Sequence, residues 1–263
     1  MTVLFAVEDR VAVITLHRPE VRNAFGGEMG RLLAEALTRA DENDDVRAVV
    51  LTGTPPAFCA GADMTSRGDT FAKQDERTFS AAALSFTPWQ VRKPVIAAVN
   101  GHAIGVGLTI TLHCDMRLFA EDAKYGVVQV RRGVMGDAYS HWTLPRMVGM
   151  AAAADILLTG RMFDGHEAYR LGLCNRVLPN DQVLPAALDV ARDIAVNTAP
   201  LSVAYSKRLL WDSWNLSPSE VEAYETEYHH YLMAHADARE GVLAFLEKRP
   251  PQWQGRVPQH WKS

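Results

Sequence analysis

The sequence predicts an α/β protein, with a mostly parallel sheet made by repeated strand and helix passages and a helical part at the C-terminal end. Three observations carry this. The stretch Pro94 to Asp115, PVIAAVNGHAIGVGLTITLHCD, runs from the apolar strand Val95 to Val99 through a glycine-punctuated turn and straight on into a helix. Arg47 to Gly53, RAVVLTG, is a continuous apolar run that follows a helix, as expected of a strand buried on both faces of a parallel sheet. Beyond Ala151 strand-like runs become few and helical periodicity takes over. The expected organisation is an α/β core over residues 1–195 and a helical region over 196–263 that serves assembly.

Taken in order, Val3 to Val7 and Val11 to Leu16 are apolar, β-branched runs split by Glu8-Asp9-Arg10, which reads as a hairpin. Met29, Leu32, Leu33, Ala36, Leu37 and Ala40 recur at helical spacing and predict an amphipathic helix. Thr54 to Asp63 is a turn-rich loop ending in the small-residue bend Ala60-Gly61-Ala62-Asp63, and Thr65 to Asp75 is polar and expected to be mobile. Phe79 to Val91 predicts a helix. Met116 to Ala120 and Tyr125 to Val130 predict further strands, and a helical region is expected from Tyr139. Ser217-Pro218-Ser219-Glu220 is a capping box with proline at its first helical position. Asp237 is the expected N-cap of a last helix that stops before Pro250-Pro251.

At 263 residues the chain is long enough to bury a large core without staples. Apolar residues make up 48% and charged residues 22%, an ordinary globular balance, and the net charge of −4 leaves no global basic field for nucleic acid or an anionic membrane. Cys59, Cys114 and Cys174 are odd in number and widely spaced, with no metal-binding pattern, so they read as buried thiols in a reducing compartment. The N-terminal stretch lacks the shape of a signal peptide and no apolar run reaches membrane-spanning length, so a cytoplasmic location is expected.

The chemistry concentrates at the two glycine-containing bends, which carry Ala62 and Val106. Each follows a buried strand, and together they can aim two backbone N–H groups at one carbonyl oxygen; one such donor is worth ~3 kcal/mol of barrier. The plainer reading is that both are tight turns, and spacing alone favours it. Neither bend matches a P-loop or a dinucleotide fingerprint.

Phe58 to Asp63 (FCAGAD), Lys93 to Gly101 (KPVIAAVNG), Gly105-Val106-Gly107 and Cys114-Asp115 together resemble the enoyl-CoA hydratase/isomerase, or crotonase, superfamily. The likeness extends to Arg18-Pro19, Arg22-Asn23-Ala24, Ala168 to Val177 and Phe245 to Arg249, and so spans nearly the whole chain. It implies a crotonase-like ββα spiral with a helical C-terminal trimerisation region, acting on an acyl- or enoyl-CoA thioester as a homotrimer or dimer of trimers. Coenzyme A enters as part of the substrate, with no other cofactor and no metal.

By the same resemblance the thioester oxygen sits between the N–H groups of Ala62 and Val106, which stabilise an enolate. Arg22 and Ala24, with Ala60, Asp63 and Met64, match positions that contact the coenzyme. Phe245 and Lys248 match a C-terminal contact to its adenosine part; the plainer reading of Lys248 is a solvated charge at a helix end. Where hydratases of this family place two glutamates across one water, this chain has Thr109 and Gln129, which line the acyl pocket or hold water but do not titrate near neutrality. Asp137, eight residues after Gln129, matches an aspartate that is a base in dienoyl-CoA isomerases and a nucleophile in chlorobenzoyl-CoA dehalogenases. The dehalogenases' tryptophan and histidine are replaced by Gln129 and Ala82, so that reaction is poorly supported.

Asp137 has two readings, an acid/base whose pKa is raised by Val134, Met135 and Trp142, or a helix N-cap. His102, His113 and His141 read as packed or surface residues. The expected function is an enzyme of lipid or carboxylic-acid catabolism working through an oxyanion-stabilised enolate, with proton transfer better supported than hydration. The alternative is a non-catalytic acyl-CoA binding protein.

Overall fold

The computed structural model describes residues 1–72, 75 and 79–258. Its elements follow the apolar pattern. The strands β1 (Val3–Glu8) and β2 (Val11–Leu16) pair antiparallel from Val3 opposite Leu16 to Glu8 opposite Val11. The two linking residues, Asp9 and Arg10, both have positive φ (49° and 63°), the backbone sense that matches strand twist in a tight hairpin. Helix α1 (Gly27–Glu42) then buries Met29, Leu33, Leu37 and Ala40 against the sheet, as its periodicity predicts. β3 (Ala48–Gly53) is buried along its whole length and lies parallel to β2.

From β3 onward the chain spirals, and three successive passes each add one strand to each of two sheets. β4 (Ala57–Cys59), β5 (Val95–Val99), β6 (His102–Ile104), β7 (Met116–Ala120), β8 (Tyr125–Gly126) and β9 (Arg176–Leu178) follow in turn. The larger sheet has the order β1-β2-β3-β5-β7-β9 and the smaller β4-β6-β8. Every pair but the first hairpin is parallel. This is the expected ββα spiral.

Between β6 and β7 stands α2 (Val106–Thr109), continued by a 3-10 turn over Ile110–His113. The remaining helices are α3 (Ser140–Thr159), α4 (Gly165–Arg170), α5 (Val183–Asn197), α6 (Pro200–Asp212), α7 (Pro218–Met233) and α8 (Ala236–Glu247). Gly149, at φ 78°, kinks α3. α5 packs on β3, β5 and β7, and the expected division at residue 195 falls in its last turn. Lys207 of α6 forms a 2.7 Å ion pair with Asp115, whose carboxylate also accepts from the Val95 N–H and the Trp211 indole. That contact ties the C-terminal helices to the first residue of β5.

Several local expectations are corrected. No helix forms over Phe79 to Val91; the chain there runs through turns and bends. Pro88 disfavours helical geometry at Thr87, and the Thr87 N–H and hydroxyl both bond the Gln90 side chain instead. The strand expected over Tyr125 to Val130 stops at Gly126, and Gln129 begins a 3-10 turn. The central strand does not pass straight into a helix, because β6 intervenes. His235, not Asp237, caps α8; the Asp237 carboxylate accepts from the N–H groups of Gln254 and Gly255 and holds the C-terminal segment. The Ser217 capping box forms as expected. In the polar stretch 65–75, Arg67–Phe71 is a 3-10 turn, and 73 and 74 lie outside the described residues. Among the described residues no helix is long and apolar enough to cross a membrane, and no group of acidic, histidine and cysteine side chains could hold a metal ion.

The spiral brings α2 hard against β4. A β-carbon at Gly107 would lie 2.5 Å from the Cys59 carbonyl oxygen, a backbone atom that cannot swing aside. Gly107→Ala should therefore destabilise the fold by about 1–3 kcal/mol, the usual cost of overpacking a filled site, read as a lower urea midpoint with an unchanged slope. An unchanged midpoint would mean the two segments can separate without cost.

Candidate active site

The first bend is held by a buried asparagine. Asn23 donates through Nδ2 to the carbonyls of Thr54 (2.8 Å) and Ala57 (2.7 Å), and its Oδ1 accepts from the Arg18 N–H. This lays residues 22–25 along residues 60–63. Ala60 N–H donates to Arg22 O, Phe25 N–H to Gly61 O (2.7 Å) and Asp63 N–H to Phe25 O (2.9 Å), so that Phe25 and Ala62 form a parallel bridge. A parallel bridge engages alternate peptide groups, so the Ala62 N–H faces away from Phe25. Among the hydrogen bonds of the described residues, it donates to nothing.

The second bend turns at Gly105, whose φ of 55° and ψ of −124° suit glycine alone. Val106 is the first residue of α2, and its N–H therefore has no intrahelical acceptor; no described group accepts from it. The two bends touch. A β-carbon on Gly61 would lie 2.9 Å from Ile104 O. Two unpaired N–H groups thus stand on adjoining backbone, an arrangement that can hold an oxygen bearing developing negative charge.

Beside them lies a carboxylate. Asp137 Oδ1 accepts from Thr109 Oγ1 at 2.7 Å and from Gln129 Nε2 at 3.0 Å, so three residues singled out in the sequence converge on one point. Thr109 is the last residue of α2, one turn from Val106, and the Gln129 amide lies against Gly105. Burial raises the Asp137 pKa above the ordinary carboxylate value; the Thr109 and Gln129 bonds and nearby His141 oppose the rise without cancelling it. The expected apolar cover needs correction, because Met135 is exposed and Trp142 packs with Trp89, Trp211 and Trp214. Asp137 is not an N-cap; that position belongs to Tyr139. Buried Cys59 has its thiol pushed up to about 12, chiefly by burial, with Asp137 adding to the shift.

The residues matched to coenzyme contacts divide into two groups. Arg22, Ala24, Ala60, Asp63 and Met64 lie together around the first bend, with Arg22 and Met64 exposed. Asp63 is engaged within the loop, accepting from the Thr65 N–H at 3.0 Å and from Arg18 at 2.8 Å, and these bonds pull its carboxyl down to about 2. Phe245 and Lys248 stand exposed on and just after α8, and none of their hydrogen bonds links them to the bends within this chain. Arg18, which bonds both Ala24 O and Asp63, was not singled out as a site residue; its position before Pro19 gave no sign of this bracing role. His102 is exposed and accepts from the Lys124 N–H, as a surface histidine should.

Comparison with known proteins gives this geometry a family. A profile of the enoyl-CoA hydratase/isomerase family matches residues 6–256. The chain belongs to that family. A crystal structure of a probable enoyl-CoA hydratase/isomerase from Mycobacterium abscessus is similar at a TM-score of 0.94 and 50% identity, covering 96% of this chain and 98% of that one. A probable enoyl-CoA hydratase of Mycobacterium bovis is 36% identical over 260 residues, 97% of this chain and 98% of the relative. An enoyl-CoA hydratase of Alternaria alternata is 37% identical over 248 residues, 94% of this chain and 83% of the relative. This is a family of enzymes, and the spiral with its C-terminal helices is the family's fold. A cavity of about 810 Å³ lies elsewhere, among α6, α7 and α8, lined by Tyr205, Leu209, Tyr228 and Trp253 among others. It shares no residue with the two bends or the Asp137 cluster.

The raised carboxyl fixes the sign of a stability test. Between the unfolded value of about 3.9 and the higher native value, the folded chain binds more protons than the unfolded one, so Asp137 lowers stability as pH rises through that window. Asp137→Asn removes this penalty. The variant should melt above the parent at neutral pH, and the gap should close as pH falls below the unfolded value of about 3.9, where the parent carboxyl becomes protonated in both states. A variant that melts lower at neutral pH, by an amount indifferent to pH, would show that the carboxylate is not penalised.

Proposed function

We propose that the chain transfers a proton on an acyl- or enoyl-CoA thioester, with Ala62 and Val106 N–H groups holding the thioester oxygen and Asp137 acting as the acid/base. The observation that carries this reading is the Asp137 carboxylate, half-buried, raised in pKa and pinned by Thr109 one helical turn from the free Val106 N–H. The carboxylate takes a proton from the carbon between the thioester carbonyl and the double bond. The C–H electron pair becomes the enolate double bond as the carbonyl pair moves onto the oxygen, where two N–H donors meet it; the carbonyl then reforms, the double bond shifts into conjugation, and its displaced pair takes the proton back at the far carbon. Coenzyme A serves as part of the substrate and no other cofactor is required.

The family resemblance supports the assignment by contrast. Thr109 and Gln129 stand where hydratases of the family carry their glutamates, and neither can exchange a proton near neutrality. Here both donate to Asp137. Gln129 Oε1 is buried without a partner among the described residues, which favours a second reading in which it holds a water for addition through Asp137. The binding-protein alternative is not favoured, since a binder needs no desolvated carboxylate beside the thioester cradle.

We also infer that the working form is a homotrimer or a dimer of trimers in the cytoplasm, with the helices of residues 196–263 in assembly and Phe245 and Lys248 reaching a neighbour's coenzyme. The exposed Phe245, Leu246 and Val242 on α8 support this, as does the lack of any bond from that helix to the bends of its own chain. Sedimentation should give three or six times the chain mass, and a monomer at micromolar concentration would contradict it.

The chemical test incubates crotonyl-CoA and its β,γ-unsaturated isomer vinylacetyl-CoA in heavy water, followed by mass spectrometry. Deuterium uptake with interconversion supports proton transfer, and a gain of one water supports the second reading. Asp137→Asn should bind either thioester as the parent does but lose ~10²-fold or more of the exchange, the usual worth of a general base. Val106→Pro, which deletes one donor, should lose it as well. Exchange at the parental rate in the asparagine variant would remove Asp137 from the chemistry.

A further inference from the structure

Asp137 is carried on a turn whose next two residues, Ala138 (φ 45°) and Tyr139 (φ 54°), both adopt left-handed geometry without being glycine. Such backbone persists only where its surroundings hold it. Two groups from outside the turn engage Ala138. Its N–H donates to Ala81 O at 2.7 Å, and its carbonyl accepts from His113 Nε2 at 2.6 Å. The His113 bond comes from a side chain and can therefore be changed alone.

His113 is buried, packed 4.5 Å from the Trp89 ring and 5.7 Å from Tyr139. A carbonyl oxygen only accepts, so Nε2 carries the hydrogen and Nδ1 is left without a partner among the described residues. Burial lowers the ring's pKa to about 4, which keeps it a neutral donor at neutral pH. His113 also closes the 3-10 turn that continues α2. One short piece of chain, residues 106–113, therefore presents three groups in a row. They are the Val106 N–H, the Thr109 hydroxyl on the Asp137 carboxylate, and the His113 ring on the carbonyl next to it.

We propose that His113 is a positioning residue, clamping the Asp137 turn to the segment that carries the Val106 N–H and so setting where the carboxylate stands relative to a bound thioester. The inference rests on the reading of Asp137 as the acid/base. A side chain that merely filled the core would support the fold without controlling the direction of the carboxylate. The His113 bond and the Thr109 bond instead grip the same residue pair from the same rod of backbone.

The test compares His113→Gln, whose amide nitrogen reaches about as far as Nε2, with His113→Asn, which is too short, and His113→Phe, which keeps the ring contacts but has no donor. Two quantities are read on the full-length protein: steady-state proton exchange of vinylacetyl-CoA, and NMR titration of the Asp137 carboxyl carbon, which faces Thr109, Gln129, His141 and Cys59. The asparagine and phenylalanine variants should lose ~10-fold or more in kcat with KM within about twofold, and their Asp137 midpoint should move, whereas the glutamine variant should keep both near the parent. Parental kcat and midpoint in all folded variants, with only the melting temperature lowered, would overturn the proposal. So would equal losses in the glutamine and asparagine variants. Should Asp137→Asn itself retain exchange, the acid/base assignment falls, while the Asp137 midpoint in the His113 variants still decides whether the histidine sets the carboxylate.

Discussion

The architecture depends on how closely the backbone of α2 approaches the backbone at the end of β4. With the Gly107 α-carbon against the Cys59 carbonyl there is no room for a side chain, and both bends are thereby forced onto one small region of surface. Everything chemical follows from that contact. It brings the Ala62 and Val106 N–H groups to adjoining backbone, and it sets Thr109 one turn further along, where its hydroxyl meets Asp137. The parallel sheet behind supplies rigidity, since β3 and β5 are buried along their full lengths and leave the bends nowhere to retreat.

Three aspartates near this region show how environment assigns roles. Asp115 is paired with the Lys207 ammonium and ties α6 to the start of β5. Asp63 is held ionised by a backbone N–H and by Arg18, and braces the first bend. Asp137, half-buried like the other two, is the one bonded to neutral donors, with its nearest bonds from a threonine and a glutamine and no cation bonded to it. Neutral donors orient a carboxylate without locking its charge, so burial wins and the pKa rises. A group poised in this way can both accept and return a proton.

Most strands of the larger sheet were legible because they rest on local pattern, as in the hairpin at Asp9-Arg10 and the apolar runs of β3 and β5, and so was the periodic α1; the short strands β4 and β6 were not, since β4 lies in a stretch read as a turn-rich loop and β6 in one read as a turn into a helix. The helix expected over Phe79 to Val91 was not, because Pro88 and the Thr87 side chain compete with it locally and periodicity does not register that competition. Strand β8 ended early because Val127 and Val128 are buried in irregular chain that leads into the 3-10 turn at Gln129, with no ladder partner. Ala62, Val106 and Asp137 could be singled out from motifs. That Thr109 and Gln129 donate to one oxygen of Asp137 could not, since those residues lie 28 and 8 positions away along the chain and only the spiral brings them together. The brace of Arg18 on Asp63, across 45 positions, was invisible for the same reason.

The central claim is geometric: one thioester oxygen lies between the two free N–H groups while Asp137 faces the acyl chain. A crystal structure with acetoacetyl-CoA bound tests it most directly. The claim predicts the thioester oxygen within ordinary hydrogen-bond reach, roughly 2.7–3.2 Å, of both the Ala62 and Val106 nitrogens, with the Asp137 carboxylate the nearest titratable group to the acyl carbons. A thioester oxygen bound by other groups, or an acyl chain directed away from Asp137, would contradict it.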